Sequence, residues 1–296
     1  MAGVSVHVSA GSSATAESEG CICCGHSNIQ TAYAARGFLI SRCPSCGLGR
    51  TVLDRDFDLE KYYSEAYFTG DVNDGYADYT GSEEVLRLEF RHTLDHLRRL
   101  SFGAGTLLEF GCAYGFFLSE AAPFFQRVEG IELCAEAVEF CHARGMKVTR
   151  GVVDPSTLRG PYDAVVGLDV IEHIPEPQEA VRMIAERMNP GGTLLLTTGD
   201  WGSLLARAMG AKWRLMTPPQ HLSFFTPRSM TLMLESAGLR VIELSHPSKK
   251  VPLSLFAYQL QRLVGMKPRP MPAWNRWALP INLWDAMRVV AVKPAD

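Results

Sequence analysis

The sequence predicts an α/β fold with a mostly parallel sheet covered by helices on both faces, preceded by a small cysteine-rich head. Three observations predict it. Seven short apolar runs alternate with helical patterns from residue 106 onward. A glycine-rich loop joins the first of those runs to a helix. Five of the eight cysteines lie between Cys21 and Cys46. Strands alternating with helices imply parallel pairing with crossover helices on both sides.

The 296 residues suit one large domain with an appendage. With 47% hydrophobic and 21% charged residues, the chain can bury a core, which excludes a disordered protein. No uncharged apolar run approaches the roughly 18–20 residues that span a bilayer. The first basic residue is Arg36, so the basic start of a secretory signal is missing. A net charge of −3 opposes a general nucleic-acid binder. A cytoplasmic protein with reduced thiols is expected.

Residues 1–20 read as a disordered tail rich in Ser, Ala, Gly and Val. Residues 21–50 form the cysteine-rich ribbon. Residues 51–100 are an acidic, tyrosine-rich linker and a cap helix; Tyr62, Tyr63, Tyr67 and Phe68 stand in it as a lid or a packed aromatic patch. Ser82 is placed as an N-cap, with Val85, Leu86, Phe90, Leu94, Leu97 and Leu100 at helical spacing behind it. Strands are expected at 106–110, 127–131, 147–149, 163–168, 193–197, 239–245 and 288–292. Helices are expected near 116–125, 134–144, 177–188 and 227–237, within a domain of residues 101–296. Residues 246–284 break the alternation with six basic residues, three tryptophans and no acid. They read as an insertion or lid, with an amphipathic stretch at 253–264.

Cys21-Ile-Cys-Cys24-Gly and Cys43-Pro-Ser-Cys46-Gly each present two thiols two residues apart, followed by a glycine. Such knuckles supply four thiolates in a tetrahedron, the closed coordination of structural zinc. Cys23 and His26 offer a competing first knuckle. Four protein ligands leave no position for a substrate, so the metal is structural. Cys112, Cys134 and Cys141 are read as small buried apolar side chains.

The loop after the first sheet strand reads Glu109-Phe-Gly111-Cys-Ala113-Tyr-Gly115. Neither a dinucleotide fingerprint nor a P-loop fits, because Ala113 and Phe116 replace two glycines and no Gly-Lys-Ser/Thr follows. An acid two positions before the first glycine would repel phosphates and suits a cationic ligand. The string resembles the first motif of class I S-adenosylmethionine-dependent methyltransferases. Val128-Glu-Gly-Ile-Glu132 resembles their second strand. Tyr162 to Ile174, with Asp169, Glu172 and His173, resembles their fourth, and Asn189-Pro-Gly-Gly their turn into the fifth. Residues 285–294 resemble the antiparallel last strand of that Rossmann-like, seven-stranded fold. Zinc-ribbon members of the superfamily carry a similar head and tyrosine-rich stretch.

The resemblance implies S-adenosylmethionine as cofactor. Glu109 would orient its methionine end, and Gly111, Ala113 and Gly115 would admit its close approach. Glu132 would bind the ribose hydroxyls, Leu133 would lie against adenine, and Leu168 and Asp169 would close the methionine side. His221, in Pro218-Pro-Gln-His221, and His173 are the candidate general bases. Methyl transfer to oxygen or carbon of a small molecule, a sugar or natural-product intermediate, is the expected reaction. An RNA methyltransferase gripping its substrate through the ribbon, and a non-catalytic scaffold, stand as alternatives.

Overall fold

In the computed structural model, residues 20–53, 79–100, 105–253 and 277–295 are described, with isolated positions from 256 to 274. The proposed tail, Tyr62, Tyr63, Tyr67 and Phe68, and much of 246–284 lie outside them. The cysteine-rich head is built on three antiparallel strands, β1 (Gln30–Ala35), β2 (Phe38–Arg42) and β3 (Gly49–Val52).

The large sheet follows. Its strands are β4 (Thr106–Phe110), β5 (Arg127–Glu132), β6 (Val148–Arg150), β7 (Tyr162–Leu168) and β8 (Met188–Gly199). A two-residue strand, β9 (Ser223–Phe224), leaves the large sheet to pair with β3, and β10 (Arg240–Ser245) returns to it. A separate hairpin joins β11 (Lys249–Pro252) and β12 (Ala278–Ile281), and β13 (Ala286–Val292) completes the large sheet. The order is β6-β5-β4-β7-β8-β13-β10, with β13 antiparallel to both neighbours. The antiparallel last strand is therefore inserted between two parallel ones. One consequence governs the site: the ends of β4, β5, β7, β8 and β10 and the start of β13 share one edge.

Period-two alternation gives the sheet two apolar faces. Helices α1 (Glu83–Leu100), α2 (Phe116–Ala121) and α3 (Ala135–Ala143) cover the first, packing Leu94, Leu97, Phe117, Leu118 and Val138 on Leu107, Ala164, Val166, Leu195 and Val290. On the second face lie α4 (Pro177–Arg187) and, beyond the short α5 (Leu204–Met209), α6 (Pro227–Ser236). Val181, Ile184, Met230 and Leu234 meet Leu108, Phe110, Val165, Leu194 and Val289 there. α1 begins directly after Ser82, with Glu83 and Glu84 in its first turn and Arg98 and Arg99 in its last, charges that suit its dipole. Cys112, Cys134 and Cys141 are buried, as small apolar side chains would be.

The ribbon shares the core of the second face. Cys21, Cys43, Cys46 and Leu48 pack with Phe225, Met230 and Leu234. Thr226 donates its hydroxyl to the Cys46 carbonyl at 2.9 Å. Arg50 donates to the Pro175 carbonyl at 2.8 Å. Gly49 lies so close to the Trp201 ring that an added Cβ would stand 2.1 Å from it. The Trp201 indole donates to Tyr33 Oη at 2.8 Å. β8 begins five residues before the expected strand, because Met188 pairs with Tyr162 ahead of a register shift. Among the described residues no helix is long and apolar enough to cross a membrane.

Candidate active site and metal centre

The glycine loop is held by β5. Gly111, at φ 66°, donates its amide to the Ile131 carbonyl at 2.8 Å. Ala113 takes a left-handed φ of 46°, where glycine would be unstrained, and donates its amide to Glu132 Oε2 at 2.8 Å. Gly115, at φ 68°, starts α2; an added Cβ would stand 2.5 Å from Met146 Sδ. Glu132 Oε1 accepts the Cys134 amide at 2.8 Å. The carboxylate thus ties the loop to the start of α3, and each oxygen keeps a lone pair for a further donor. Burial raises the Glu132 pKa, while the Cys134 and Ala113 amides offset part of that rise.

Glu109 is only 3% exposed. Its Oε2 has no hydrogen-bond partner among the described residues. Burial pushes its carboxyl well above the ordinary range, with Cys141 and the neighbouring Glu132 adding to the rise. Two acids therefore lie together beneath the loop, both with unused acceptor capacity. A ligand bringing a cation and a diol matches that pair of acceptors.

Leu133 follows Glu132 and is half-buried. Leu168 ends β7 and pairs with Thr197 of β8. Asp169, at φ 50°, donates its amide to the Thr197 carbonyl and accepts the Thr197 hydroxyl, both at 3.0 Å. All eight residues expected to hold the cofactor thus stand at or beside the carboxyl ends of three adjacent strands, β5, β4 and β7.

His173 and His221 come together from separate loops, their ring centroids 4.8 Å apart. His173 Nδ1 lies 2.9 Å from the Gln220 carbonyl and His221 Nδ1 2.8 Å from the Leu215 carbonyl. Carbonyls only accept, so in the neutral rings each Nδ1 carries the hydrogen. Burial lowers the His173 pKa, and the Gln220 and Asp169 backbone carbonyls, which accept from the ring, offset part of that fall. Burial and the adjacent His173 push His221 down to about 3. Glu172 joins the pair, the three ligand-type atoms lying within 4.8 Å of one another. The ribbon fixes this loop: Thr51 donates its hydroxyl to the His221 carbonyl at 2.6 Å and its amide to the Leu222 carbonyl at 3.0 Å.

Cys21, Cys24, Cys43 and Cys46 converge, with all four sulfurs within 4.8 Å of one another. Cys21–Cys46 and Cys24–Cys43 are each 3.5 Å apart. A zinc–sulfur bond of about 2.3 Å gives a tetrahedral edge of about 3.8 Å, so one ion fits with a small expansion. Gly25 and Gly47 close the two knuckles at φ 69° and 81°, donating to the Cys21 and Cys43 carbonyls. Neither Cys23 nor His26 joins the convergent set.

Two polar residues at the same sheet edge belong to no motif of the sequence. Asp200 directly follows β8, and His246 directly follows β10; they bond at 2.8 Å. The rule that located Glu132, an acid just past a strand's carboxyl end, also applies to Asp200.

A family model described as a methyltransferase domain matches residues 84–244, more than half of the chain. The chain belongs to this methyltransferase family. Its relatives include the ubiquinone biosynthesis O-methyltransferase of Xanthomonas euvesicatoria pv. vesicatoria (strain 85-10), 27% identical over 174 residues that cover 54% of this chain and 71% of that one. The enzyme of the same name from Xylella fastidiosa (strain M23) is 24% identical over 208 residues, covering 64% and 81%. Among solved structures, a SAM-dependent methyltransferase from Thermotoga maritima superposes with a TM-score of 0.51 at 16% identity, covering 76% of this chain and 98% of that one. One from Archaeoglobus fulgidus gives 0.50 at 17% identity, covering 70% and 94%. These two likenesses show the shared methyltransferase fold. The chain is accordingly a SAM-dependent methyltransferase with a mostly parallel seven-stranded sheet.

Proposed function

We propose that the protein transfers a methyl group from S-adenosylmethionine to a hydroxyl oxygen of a small molecule, on a scaffold braced by one structural zinc ion. The observation that carries the reading is the buried pair Glu109 and Glu132 at the glycine loop of a methyltransferase-family chain. Relatives named as O-methyltransferases favour oxygen over carbon and a small acceptor over RNA or a scaffold role.

When bound, the cofactor supplies a methyl group already made electrophilic by its sulfonium. The chain's work is then binding, orientation and proton removal. Glu132 would accept the ribose hydroxyls on its remaining lone pairs, with Leu133 against the adenine. Glu109 would answer the ammonium end, and its unused Oε2 suits that task. Gly111, Ala113 and Gly115 would let backbone approach, while Leu168 and Asp169 close the methionine side. Cys21, Cys24, Cys43 and Cys46 would hold the zinc and, through Thr51, steady the His221 loop. His173 and His221 would shape the acceptor side. The expected base role suits them poorly, since His173 is tied to two backbone carbonyls and His221 is too weakly basic at neutral pH. The eight unpaired cysteines support a reducing, cytoplasmic setting.

The test is incubation of the zinc-loaded protein with methyl-labelled cofactor and a small-molecule extract, followed by mass spectrometry. The reading predicts labelled methyl ethers and S-adenosylhomocysteine in equal amounts. Label confined to carbon-bound methyl groups, or to RNA added alongside, would contradict it.

A further inference from the structure

The carboxyl edge of the sheet carries a second constellation beyond the cofactor loop. Asp200 after β8, His246 after β10 and Asp285 before β13 meet there because β13 lies antiparallel between the other two strands. Asp200 is 4% exposed. Its Oδ1 accepts the Gly202 amide at 2.8 Å, and its Oδ2 lies 2.8 Å from His246 Nε2. A carboxylate only accepts, so Nε2 carries the hydrogen and the neutral ring's lone pair sits on Nδ1.

The pair is built in from behind. The Asp200 amide donates to the Asp285 carbonyl at 2.9 Å. Asp285 in turn accepts the Trp213 indole at 2.8 Å and two Arg214 bonds at 2.9 Å. Asn282 donates to the His246 carbonyl at 2.8 Å. Along β10, Glu243 is paired with Arg288 and His96, which leaves Asp200 as the acid bonded to His246.

Strain marks the same place. Four described non-glycine residues have left-handed φ: Arg36, Ala113, Asp169 and Trp284. Arg36 makes the tight turn between β1 and β2. Ala113 and Asp169 belong to the cofactor edge. Trp284, at φ 54°, holds its indole 5.9 Å from the His246 ring and is 66% exposed. Backbone strain of this kind is retained where a side chain must be presented. Here it presents an open aromatic wall beside an imidazole.

We propose that His246, oriented by Asp200, is the catalytic base that takes the proton from the acceptor hydroxyl, with Trp284 as the wall against which the acceptor lies. This rests on the O-methylation reading. As the acceptor oxygen forms its bond to the methyl carbon, its proton passes to His246 Nδ1. The carbon–sulfur bond breaks with its electron pair left on sulfur, giving a neutral thioether and a methyl ether. Asp200 balances the imidazolium until the proton leaves to water. His246 would act where His221 and His173 do not, because a carboxylate holds its ring and can balance the imidazolium, whereas backbone carbonyls hold the other two rings.

The test uses the full zinc-loaded chain with catechol as acceptor probe, and 4-nitrocatechol as a colorimetric reporter of deprotonation. His246→Ala should lower kcat by about a hundredfold or more and remove the acid limb of the pH–rate profile. Its affinity for S-adenosylmethionine by calorimetry should change less than about threefold, a range well under one tenfold step. Bound 4-nitrocatechol should turn to its phenolate at lower pH on the wild type than in water, and this shift should vanish in the variant. Asp200→Asn, which keeps the shape of the side chain, should reproduce the weakened acid limb and decides the matter should the alanine variant not fold. A kcat for His246→Ala within tenfold of wild type, or a nitrocatechol shift absent from wild type or equal in both, overturns the assignment. Failure of the wild type to bind S-adenosylmethionine would sink the methyltransferase reading instead, while the nitrocatechol arm still decides the base.

Discussion

Glu109→Gln should stabilise the cofactor-free protein and weaken cofactor binding. The carboxyl is buried, one oxygen has no partner among the described residues, and burial, Cys141 and Glu132 all lift its pKa. A folded pKa above the unfolded value means that protonation favours folding. That contribution is fully present below the ordinary carboxylate value of about 4.3 and is lost as pH rises through the folded pKa. At pH 8 the unsatisfied group therefore costs about 1–3 kcal/mol, which a neutral amide removes in large part. At about 2–4 °C per kcal/mol, the variant's Tm should exceed wild type by roughly 2–10 °C at pH 8, and the gap should close toward pH 4. Melting curves from pH 4 to 9 measure this, and calorimetry should show S-adenosylmethionine affinity at least about tenfold weaker, close to 1.4 kcal/mol. A variant less stable than wild type at pH 8, or a gap independent of pH, would mean that the buried Glu109 carboxylate does not destabilise the fold.

Plasma mass spectrometry should find one zinc ion per chain, and stripping the metal with a chelator, or by Cys43→Ala, should abolish that signal. Metal loss should also lower Tm by more than about 10 °C, since structural zinc contributes on the order of 10 kcal/mol and these thiols share the domain core. Ala113→Gly relieves a left-handed φ of 46° that costs a non-glycine residue about 1 kcal/mol, so its melting point should rise by about 2–4 °C. Asp285→Ala leaves the Trp213 indole without its acceptor. Arg214 can re-solvate because its side chain is 44% exposed, so urea unfolding should show a loss of about 2–3 kcal/mol rather than the 3–5 of a fully buried pair.

The large sheet was legible because each strand's pattern is local: Thr106–Phe110 was bounded correctly from five consecutive residues. The glycine loop and the thiol knuckles were legible for a related reason, since close approach and tetrahedral geometry impose fixed short spacings. Long-range pairing was not. β9 is two residues long, and nothing near Ser223 and Phe224 announces that they pair with Arg50 and Gly49. The bond from Thr51 to the His221 carbonyl spans 170 positions. His221 read as a base because an isolated imidazole titrates near neutrality; its low basicity arises only when the loop buries it beside His173. Asp200 and His246 stand 46 positions apart and meet only because β13 enters the sheet between their strands. The early start of β8 was hidden by Pro190 and the two glycines after it, which read as a turn although Met188 already pairs with Tyr162.

In the proposed function, the buried acids of β4 and β5 and the small-residue loop between them form one cofactor seat. Titration calorimetry of S-adenosylmethionine into the wild-type chain and into Glu132→Ala measures it directly. One site per chain with micromolar affinity, lost by at least about a hundredfold in the variant (about 2.8 kcal/mol), is the predicted result. No heat of binding to the wild type at millimolar cofactor, or equal binding to both proteins, would contradict it.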